Sequence, residues 1–378
     1  MNEIEKEFIP VNDIKLSELE IKYAEDALKT GFISGLAGKY IKMFEDKCAE
    51  FCNAKYGVAC SNGTTALHLA VRVAGIKNGD EVLVNTFTNI PTVLSIMWNG
   101  GTPVLVDSRK DTWAMDEKDI EDKITEKTKA IMPVHIYGHP AKMDVIMKIA
   151  DNYGLTVIED SAEAFGATVN GKPVGSIGDM GCFSFLAGKM ITSGEGGMVL
   201  TNNEQFAEKL RSLRGHAFGT GIDRYMHVDL GYNFRLSNLQ AAVGLGQIER
   251  ANELIEFRRR ISSWYNERLK GVEGFTLPVE LPWAKNVYCM YGILVGESFG
   301  MDRNGLMTEL KKQGIDTRAF FVPMHQQRVF HERGMFINES HPVSEYLGSH
   351  GLYLPAGVTM TEEKADRICN AIKALSGR

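Results

Sequence analysis

Residues 183–197, FSFLAGKMITSGEGG, decide the fold class of this chain. The run opens with apolar residues that alternate with Ser184, as in a buried strand, and it closes in a glycine-rich turn. Lys189 lies between the strand and the turn. Taken alone, a lysine in this position is more often a solvated surface residue than a reactive amine. Its role therefore depends on segments elsewhere in the chain.

A second segment, VIED at residues 157–160, places the carboxylate of Asp160 at the end of a predicted strand. Where strands alternate with helices, ligands gather at the carboxyl ends of the strands, and Asp107 and Ser184 are expected near other strand ends. An aspartate there usually caps a turn or pairs with a surface lysine. It can also hold the protonated nitrogen of a pyridine ring.

A third segment, SNGTT at residues 61–65, opens an amphipathic helical pattern. Gly63, Thr64 and Thr65 then lie at a helix N-terminus, where unpaired N–H groups and the helix dipole favour a phosphate. An ordinary N-cap is the competing interpretation of this segment alone. Together, an imine-forming lysine, a carboxylate for a pyridinium proton and a phosphate-binding helix start indicate pyridoxal 5′-phosphate.

Three further polar residues lie near these segments. Glu163 follows Asp160 by three residues and could reach the cofactor ring or its 3′-oxygen; it could equally be an acidic residue in a first helical turn. His135 and His139 flank a probable loop, and no cysteine or carboxylate pattern completes a metal site around them. We interpret both as loop histidines and expect no metal.

The bulk composition is that of a soluble globular protein, with 378 residues, 44% hydrophobic residues and a net charge of −6. This charge disfavours nucleic-acid binding, and no apolar run is long enough to span a bilayer. The charged N-terminus lacks a signal-peptide core. Six cysteines without a metal or disulfide pattern read as reduced, mostly buried thiols. We therefore expect a cytoplasmic protein.

The order of predicted elements indicates an α/β protein of two domains. Strands alternate with helices from about residue 60 to residue 200, which favours a mostly parallel sheet covered on both faces. Residues 236–269 read as one long or broken helix between domains, and residues 287–295 as a strand of a smaller α+β domain. We place an N-terminal segment and the large domain at residues 1–250 and the small domain at residues 251–378.

The motifs in combination resemble the pyridoxal phosphate-dependent sugar aminotransferases of the DegT/DnrJ/EryC1/StrS group. The resemblance extends from about residue 32 to residue 355. It rests on the following stretches: SNGTTALH at 61–68, EDSAEAFG at 159–166, FSF at 183–185 with Lys189, GEGG at 194–197, GYNFR at 231–235 and PMH at 323–325. It implies the aspartate-aminotransferase-like fold (fold type I), with a mostly parallel seven-stranded sheet in the large domain and a smaller α+β C-terminal domain.

The resemblance also implies a reaction. An amino group would pass from L-glutamate, through pyridoxamine 5′-phosphate, to a nucleotide-linked keto-deoxysugar. The stretch MPVHIYGHP at 132–140 and Glu163 are most similar to the subgroup that aminates C4 of GDP-4-keto-6-deoxymannose for O-antigen lipopolysaccharide. The alternatives are a UDP- or dTDP-linked sugar, a sugar dehydratase and a non-catalytic cofactor-binding regulator. The dehydratase branch carries histidine at the lysine position, so Lys189 argues against it.

Carried over by position, the resemblance implies roles for individual residues. Lys189 and Asp160 are the expected catalytic residues, and a homodimer with shared active sites, or a tetramer built from it, is expected. The expected cofactor-binding residues are Gly63, Thr64, Thr65, Asn89, Asp160, Glu163, Ser184, Lys189 and, from the neighbouring subunit, Asn233. The expected substrate-binding residues are Tyr225, His227, Arg318 and His325.

Five positions depart from the family pattern. Asn89 stands where relatives have an aromatic residue that stacks on the cofactor, so stacking is expected to be weaker or supplied elsewhere. Residues 187–188 replace Gly-Asn before the lysine. Met226 and Ala319 replace an aromatic residue and a proline near the expected substrate pocket. The resemblance therefore leaves the exact sugar open.

Overall fold

The computed structural model describes residues 8–376, and its main feature is a seven-stranded sheet. The strand order is β1-β9-β8-β5-β4-β2-β3. The four pairs from β8 to β3 are parallel, whereas β9 runs antiparallel to both β1 and β8. The expected mostly parallel, seven-stranded sheet is confirmed. Its strands are β1 Tyr56–Cys60, β2 Glu81–Asn85, β3 Thr102–Val106, β4 Thr128–Met132, β5 Thr156–Asp160, β8 Met180–Ser184 and β9 Gly197–Thr201, with the short β6 Thr168–Val169 and β7 Lys172–Pro173 between β5 and β8.

Helices cover both faces of this sheet because the buried side chains of each strand alternate between two apolar cores. In β2, Leu83 joins one core while Val82 and Val84 join the other. In β5, Val157 and Ile158 divide in the same way. The helices of this part are α1 Glu18–Thr30, α2 Lys39–Phe51, α3 Gly63–Val73, α4 Ile90–Trp98, α5 Met143–Tyr153, α6 Glu204–Arg214 and α7 Asn238–Glu249.

The C-terminal part has its own four-stranded antiparallel sheet, ordered β10-β12-β14-β13, and its own apolar core. Ile9 joins this core and bridges to Ile315, so the N-terminal segment packs on the C-terminal part. The division at residue 250 stays a prediction. The elements are α8 Ala251–Leu269, β10 Phe275–Thr276, β11 Ala284–Lys285, β12 Tyr291–Val295, α9 Arg303–Lys312, β13 Arg318–Ala319, α10 Arg328–His331, α11 Pro342–His350, β14 Gly351–Leu354 and α12 Glu362–Lys373.

Two predicted elements have different bounds in the structure. The helical pattern of residues 236–269 is two helices, because Arg250 leaves helical geometry between α7 and α8. The predicted strand at 287–295 begins only at Tyr291. Tyr288 has a positive φ of 48°, and its N–H is bound by the side chain of Asn286, so the chain turns before it joins the sheet.

Within residues 8–376, no helix is both long and apolar enough to cross a bilayer. All six cysteines are free and buried, as expected.

A buried carboxylate anchors the carboxyl end of β5. Glu159 is fully buried, and its two oxygens accept hydrogen bonds from the backbone N–H groups of Gly175, Ile177 and Gly178 at 2.7–2.8 Å. The ring of His135 completes the set at 3.0 Å. Because all four contacts converge on one side chain, Glu159 joins the end of β5 to the loop before β8 and to the loop after β4.

We predict that Glu159→Gln destabilises the protein by about 3 kcal/mol, because an amide offers one acceptor oxygen where the carboxylate offers two and leaves buried donors unpaired. Urea unfolding followed by circular dichroism measures the shift. Glu208→Gln, on the exposed side of α6, is the matched control and should change little. A Glu159→Gln protein that unfolds at the native urea concentration would contradict the anchoring role.

Candidate active site

A cavity of about 220 Å³ lies at the carboxyl ends of β5 and β8, facing the N-termini of α3 and α4. The sheet and the two helix starts bring together residues that are more than a hundred positions apart in the chain. Its lining includes seven residues expected from the sequence to be functional, namely Gly63, Thr64, Asn89, Asp160, Glu163, Ser184 and Lys189, together with Glu195 of the glycine-rich turn.

One end of the cavity is an anion cradle at the start of α3. A β-carbon added to Gly63 would lie 2.7 Å from the β-carbon of Ser184, so only glycine leaves room between the helix start and β8. Asn62 caps the helix by accepting from the N–H of Thr65, which leaves earlier N–H groups of the helix free for a ligand. The hydroxyl of Thr65 is bound within this cap, and Thr65 does not line the cavity.

Asp160 presents its carboxylate to the cavity from the last position of β5. It is 4% exposed, and it accepts hydrogen bonds from the hydroxyl of Thr92 at 2.8 Å and from the N–H of Ala162 at 3.2 Å. Burial raises the pKa of Asp160 above its ordinary value, although these two bonds oppose the shift. A cation in the cavity would offset the free-energy cost of ionising this buried carboxylate. A protonated pyridine nitrogen is such a cation.

Lys189 and Glu163 form a largely buried ion pair on the wall of the same cavity. The Nζ of Lys189 lies 3.2 Å from Oε1 of Glu163, and the other carboxylate oxygen accepts from the N–H of Tyr137 at 3.0 Å. Burial lowers the pKa of Lys189, but the Glu163 carboxylate outweighs it and leaves that pKa raised. Glu163 thus holds the amine of Lys189 in place, and it is not an acidic residue in the first turn of a helix.

The structure leaves six of the expected residues outside this cavity, namely Thr65, described above, and five others. Asn233 and Tyr225 are exposed, and His227 lies on the same exposed segment with its ring against the carbonyl of His216. Arg318 is half-exposed and pairs with an acidic neighbour, Asp316, at 2.5 Å. His325 is 3% exposed, and its two ring nitrogens contact Thr86 and Glu345.

Sequence reasoning missed two residues of the site. Thr92 follows Asn89 by three positions, within the first turn of α4, and this spacing from a cavity residue was its only sequence signal. Phe321 lines the cavity from the C-terminal part, and no local pattern marked it. Phe321 is an aromatic residue on the wall of this cavity, whereas Asn89, at the position where an aromatic residue was expected to stack on the cofactor, contributes an amide.

The fold and the cavity together define the class of protein. A mostly parallel sheet with one antiparallel strand, β9, the glycine-lined anion cradle, the buried aspartate and the desolvated lysine are the parts of a fold type I pyridoxal phosphate enzyme. The residues present fit that cofactor. Gly63, Thr64 and Ser184 would hold its phosphate, Asp160 its ring nitrogen and Lys189 its aldehyde carbon.

Comparison with known proteins identifies the family. The model of the DegT/DnrJ/EryC1/StrS aminotransferase family matches residues 15–373. GDP-perosamine synthase of Caulobacter vibrioides is 40% identical over 362 residues, which cover 95% of both chains. UDP-N-acetyl-3-dehydro-alpha-D-glucosamine 3-aminotransferase of Acidithiobacillus ferrooxidans is 38% identical, over 99% of this chain and 96% of the relative. The crystal structure of DesV from S. venezuelae matches with a TM-score of 0.88 and 32% identity, over 95% and 94% of the two chains.

The chain therefore belongs to the DegT/DnrJ/EryC1/StrS aminotransferase family. The predicted fold type, cofactor and reaction class are confirmed: the protein is a pyridoxal phosphate-dependent sugar aminotransferase. The roles of individual site residues stay predictions, and the geometry above supports those at the cavity.

We predict that Asp160→Asn has opposite effects with and without cofactor. Without cofactor, the folded-state pKa of Asp160 is raised, so ionisation costs stability as the pH rises above about 4. The variant should therefore melt at a higher temperature than the native protein, by an amount that grows as the pH rises from about 4 to the raised folded-state pKa and stays constant above it. With cofactor, the variant loses a buried charge partner and should bind about 30-fold more weakly.

Differential scanning fluorimetry and equilibrium cofactor titration measure the two effects. Asp151→Asn, on an exposed position of α5, removes the same charge without touching the cavity and serves as control. Native-like cofactor affinity in Asp160→Asn would contradict the assignment of this carboxylate to the ring nitrogen.

Proposed function

We propose that this enzyme transfers an amino group from L-glutamate to C4 of GDP-4-keto-6-deoxymannose, giving GDP-perosamine. One observation carries the aminotransferase role: the Lys189 amine is held at 3.2 Å from Glu163 on the wall of the cavity that also exposes Asp160. The choice of sugar is supported by the 40% identity to a GDP-perosamine synthase over nearly the whole of both chains. The product would enter O-antigen lipopolysaccharide synthesis.

The side chains around the cavity would each have a different role in amino transfer. When bound, pyridoxal phosphate supplies the electron sink that stores the pair left at the donor's α-carbon. The Nζ of Lys189 would take the proton from that carbon, because it is the basic group at the cavity wall that is free of backbone contacts. Glu163 would hold this amine in reach. Asp160, whose carboxylate is held by the hydroxyl of Thr92, would keep the cofactor ring protonated.

A UDP-linked sugar is the less favoured acceptor, although the name of one relative points to it. The relative that carries the name of a UDP-linked 3-aminotransferase is 38% identical over almost the whole chain, only slightly less than the perosamine synthase. The departures at Asn89, Met226 and Ala319 also lie near the expected sugar site. A UDP-linked 3-keto sugar is therefore the alternative acceptor.

We further propose that the active unit is a homodimer with shared sites. Asn233 is exposed and lies outside the cavity of its own chain, and the preceding segment exposes the apolar side chains of Ile222, Tyr225 and Leu230. Burying these side chains in a dimer would remove a large apolar surface from water. Sedimentation velocity at assay concentration should show no active monomer, and full specific activity in a monomeric species would contradict this proposal.

A cytoplasmic location is part of the same proposal. It is supported by six free, buried cysteines and by the nucleotide-linked substrate. Cell fractionation with an antibody tests it, and recovery in a secreted or periplasmic fraction would contradict it.

We predict the outcome of one substrate panel. The cofactor-loaded enzyme is incubated with L-glutamate and GDP-, UDP- and dTDP-linked 3-keto or 4-keto sugars, and 2-oxoglutarate and amino sugar are measured. GDP-4-keto-6-deoxymannose should give a kcat/KM about 100-fold above the others. A preference for the UDP-linked 3-keto sugar would favour the alternative acceptor, loss of water without amino transfer would indicate a dehydratase, and no reaction would indicate a non-catalytic protein.

A further inference from the structure

A second cavity of about 290 Å³ adjoins the first at Lys189. The two cavities share Glu163, Asn89, Leu186 and Phe321 as well as Lys189, so the reactive amine lies on the wall between them. The second cavity lacks the Gly63 and Ser184 cradle and reaches instead toward α8 and the N-terminal segment. It is therefore the space left for a substrate once the first cavity holds the cofactor.

Arg258 of α8 lines this second cavity, and its charge is poorly compensated. It is 4% exposed, and its guanidinium donates to the carbonyl of Ala356 and, at 3.0 Å, to the side-chain oxygen of Asn12. Within residues 8–376 it forms no ion pair with a carboxylate. Burial accordingly lowers its pKa. A buried cation costs free energy unless an anion accompanies it.

Arg258 differs from two other arginines of this region, because both of those form ion pairs with carboxylates. Arg259, the next residue on α8, pairs with Glu280, and Arg250 at the start of α8 pairs with Glu20 and Glu253. The acidic residue beside Arg258, Asp13, has its oxygens bound by the N–H and hydroxyl of Thr359. An anion bound in the cavity would supply the countercharge that Arg258 lacks.

We propose that Arg258 binds a carboxylate of the amino donor in this second cavity. The inference rests on the proposed function, because it assigns to the donor a place beside the amine that receives its proton. A dicarboxylic amino acid fits the chemistry: one carboxylate compensates the buried guanidinium, and the carbon that carries the amino group faces Lys189. Charge-assisted bonds to a planar guanidinium also give this pairing its geometric selectivity.

If Arg258 only positioned the loop of Lys189 and did not bind the donor, its variants would behave differently. Its partner Asn12 donates to the carbonyl of Gly188 at 2.6 Å, so Arg258 could act by holding the loop that carries Lys189. Asn12→Ala removes that link and keeps the guanidinium. Arg258→Gln removes the charge, and Arg258→Lys keeps a charge with poorer geometry. Arg260→Gln, on the exposed side of α8, is the control for lost charge.

Calorimetric titration of the cofactor-loaded enzyme with succinate tests the proposal without turnover, and succinamide is the uncharged probe. We expect Arg258→Gln to weaken succinate binding about 30-fold and Arg258→Lys to weaken it less, while Arg260→Gln and Asn12→Ala stay within about threefold of native. Succinamide should bind all variants alike. Thermal melting of each variant confirms that it is folded.

Three results would overturn the proposal: native succinate affinity in Arg258→Gln, an equal loss in Asn12→Ala, or no succinate binding by the native enzyme. Each is independent of the sugar panel, which reads amino-sugar formation. An enzyme that aminates a sugar but fails the succinate test keeps the proposed function and loses only the assignment of Arg258.

Discussion

Two consecutive buried carboxylates at the end of β5 are the constraint on which the site depends. Because side chains alternate along a strand, Glu159 points into the protein and Asp160 points into the cavity. Glu159 satisfies three backbone N–H groups and a histidine, which fixes the strand end against two loops. Asp160 can then be held at a defined position although its ionised form is poorly solvated there. The fold thus satisfies the carboxylate of Glu159 with internal hydrogen bonds and leaves the carboxylate of Asp160 available to bind a ligand.

The same low-dielectric surroundings organise the charges around Lys189. Glu163 accepts a hydrogen bond from the amine of Lys189 and another from the backbone N–H of Tyr137, in the loop after β4. The carboxylate that positions the lysine is therefore itself fixed to the backbone. Arg258, which lines the second cavity with Lys189, adds a buried cation that forms no ion pair with a carboxylate within residues 8–376. Asp160 lines only the first cavity and Arg258 only the second, whereas Glu163 and Lys189 line both. This asymmetry gives a cofactor and an anionic donor separate places beside one amine.

The sequence predicted much of this because local chemistry carries it. Short apolar runs marked the strands. Asp160 and Ser184 end β5 and β8, Gly63 begins α3 and Lys189 follows β8 by five residues, and the parallel sheet brings all four to one edge. Thr92, Phe321 and Arg258 escaped notice because long-range packing places them, and no local pattern distinguishes them. The break at Arg250 and the late start of β12 escaped for a related reason: both depend on single backbone conformations within otherwise regular patterns.

The central claim is that the amine of Lys189 is the group that joins the cofactor to the chain. Borohydride reduction of the loaded enzyme, followed by proteolysis and mass spectrometry, tests it most directly, with Lys172→Ala as a control on an exposed lysine. We expect the cofactor mass on the peptide that contains Lys189, stoichiometric with the chain, and no fixed cofactor in Lys189→Ala. Cofactor fixed to another lysine at the same stoichiometry would contradict the account.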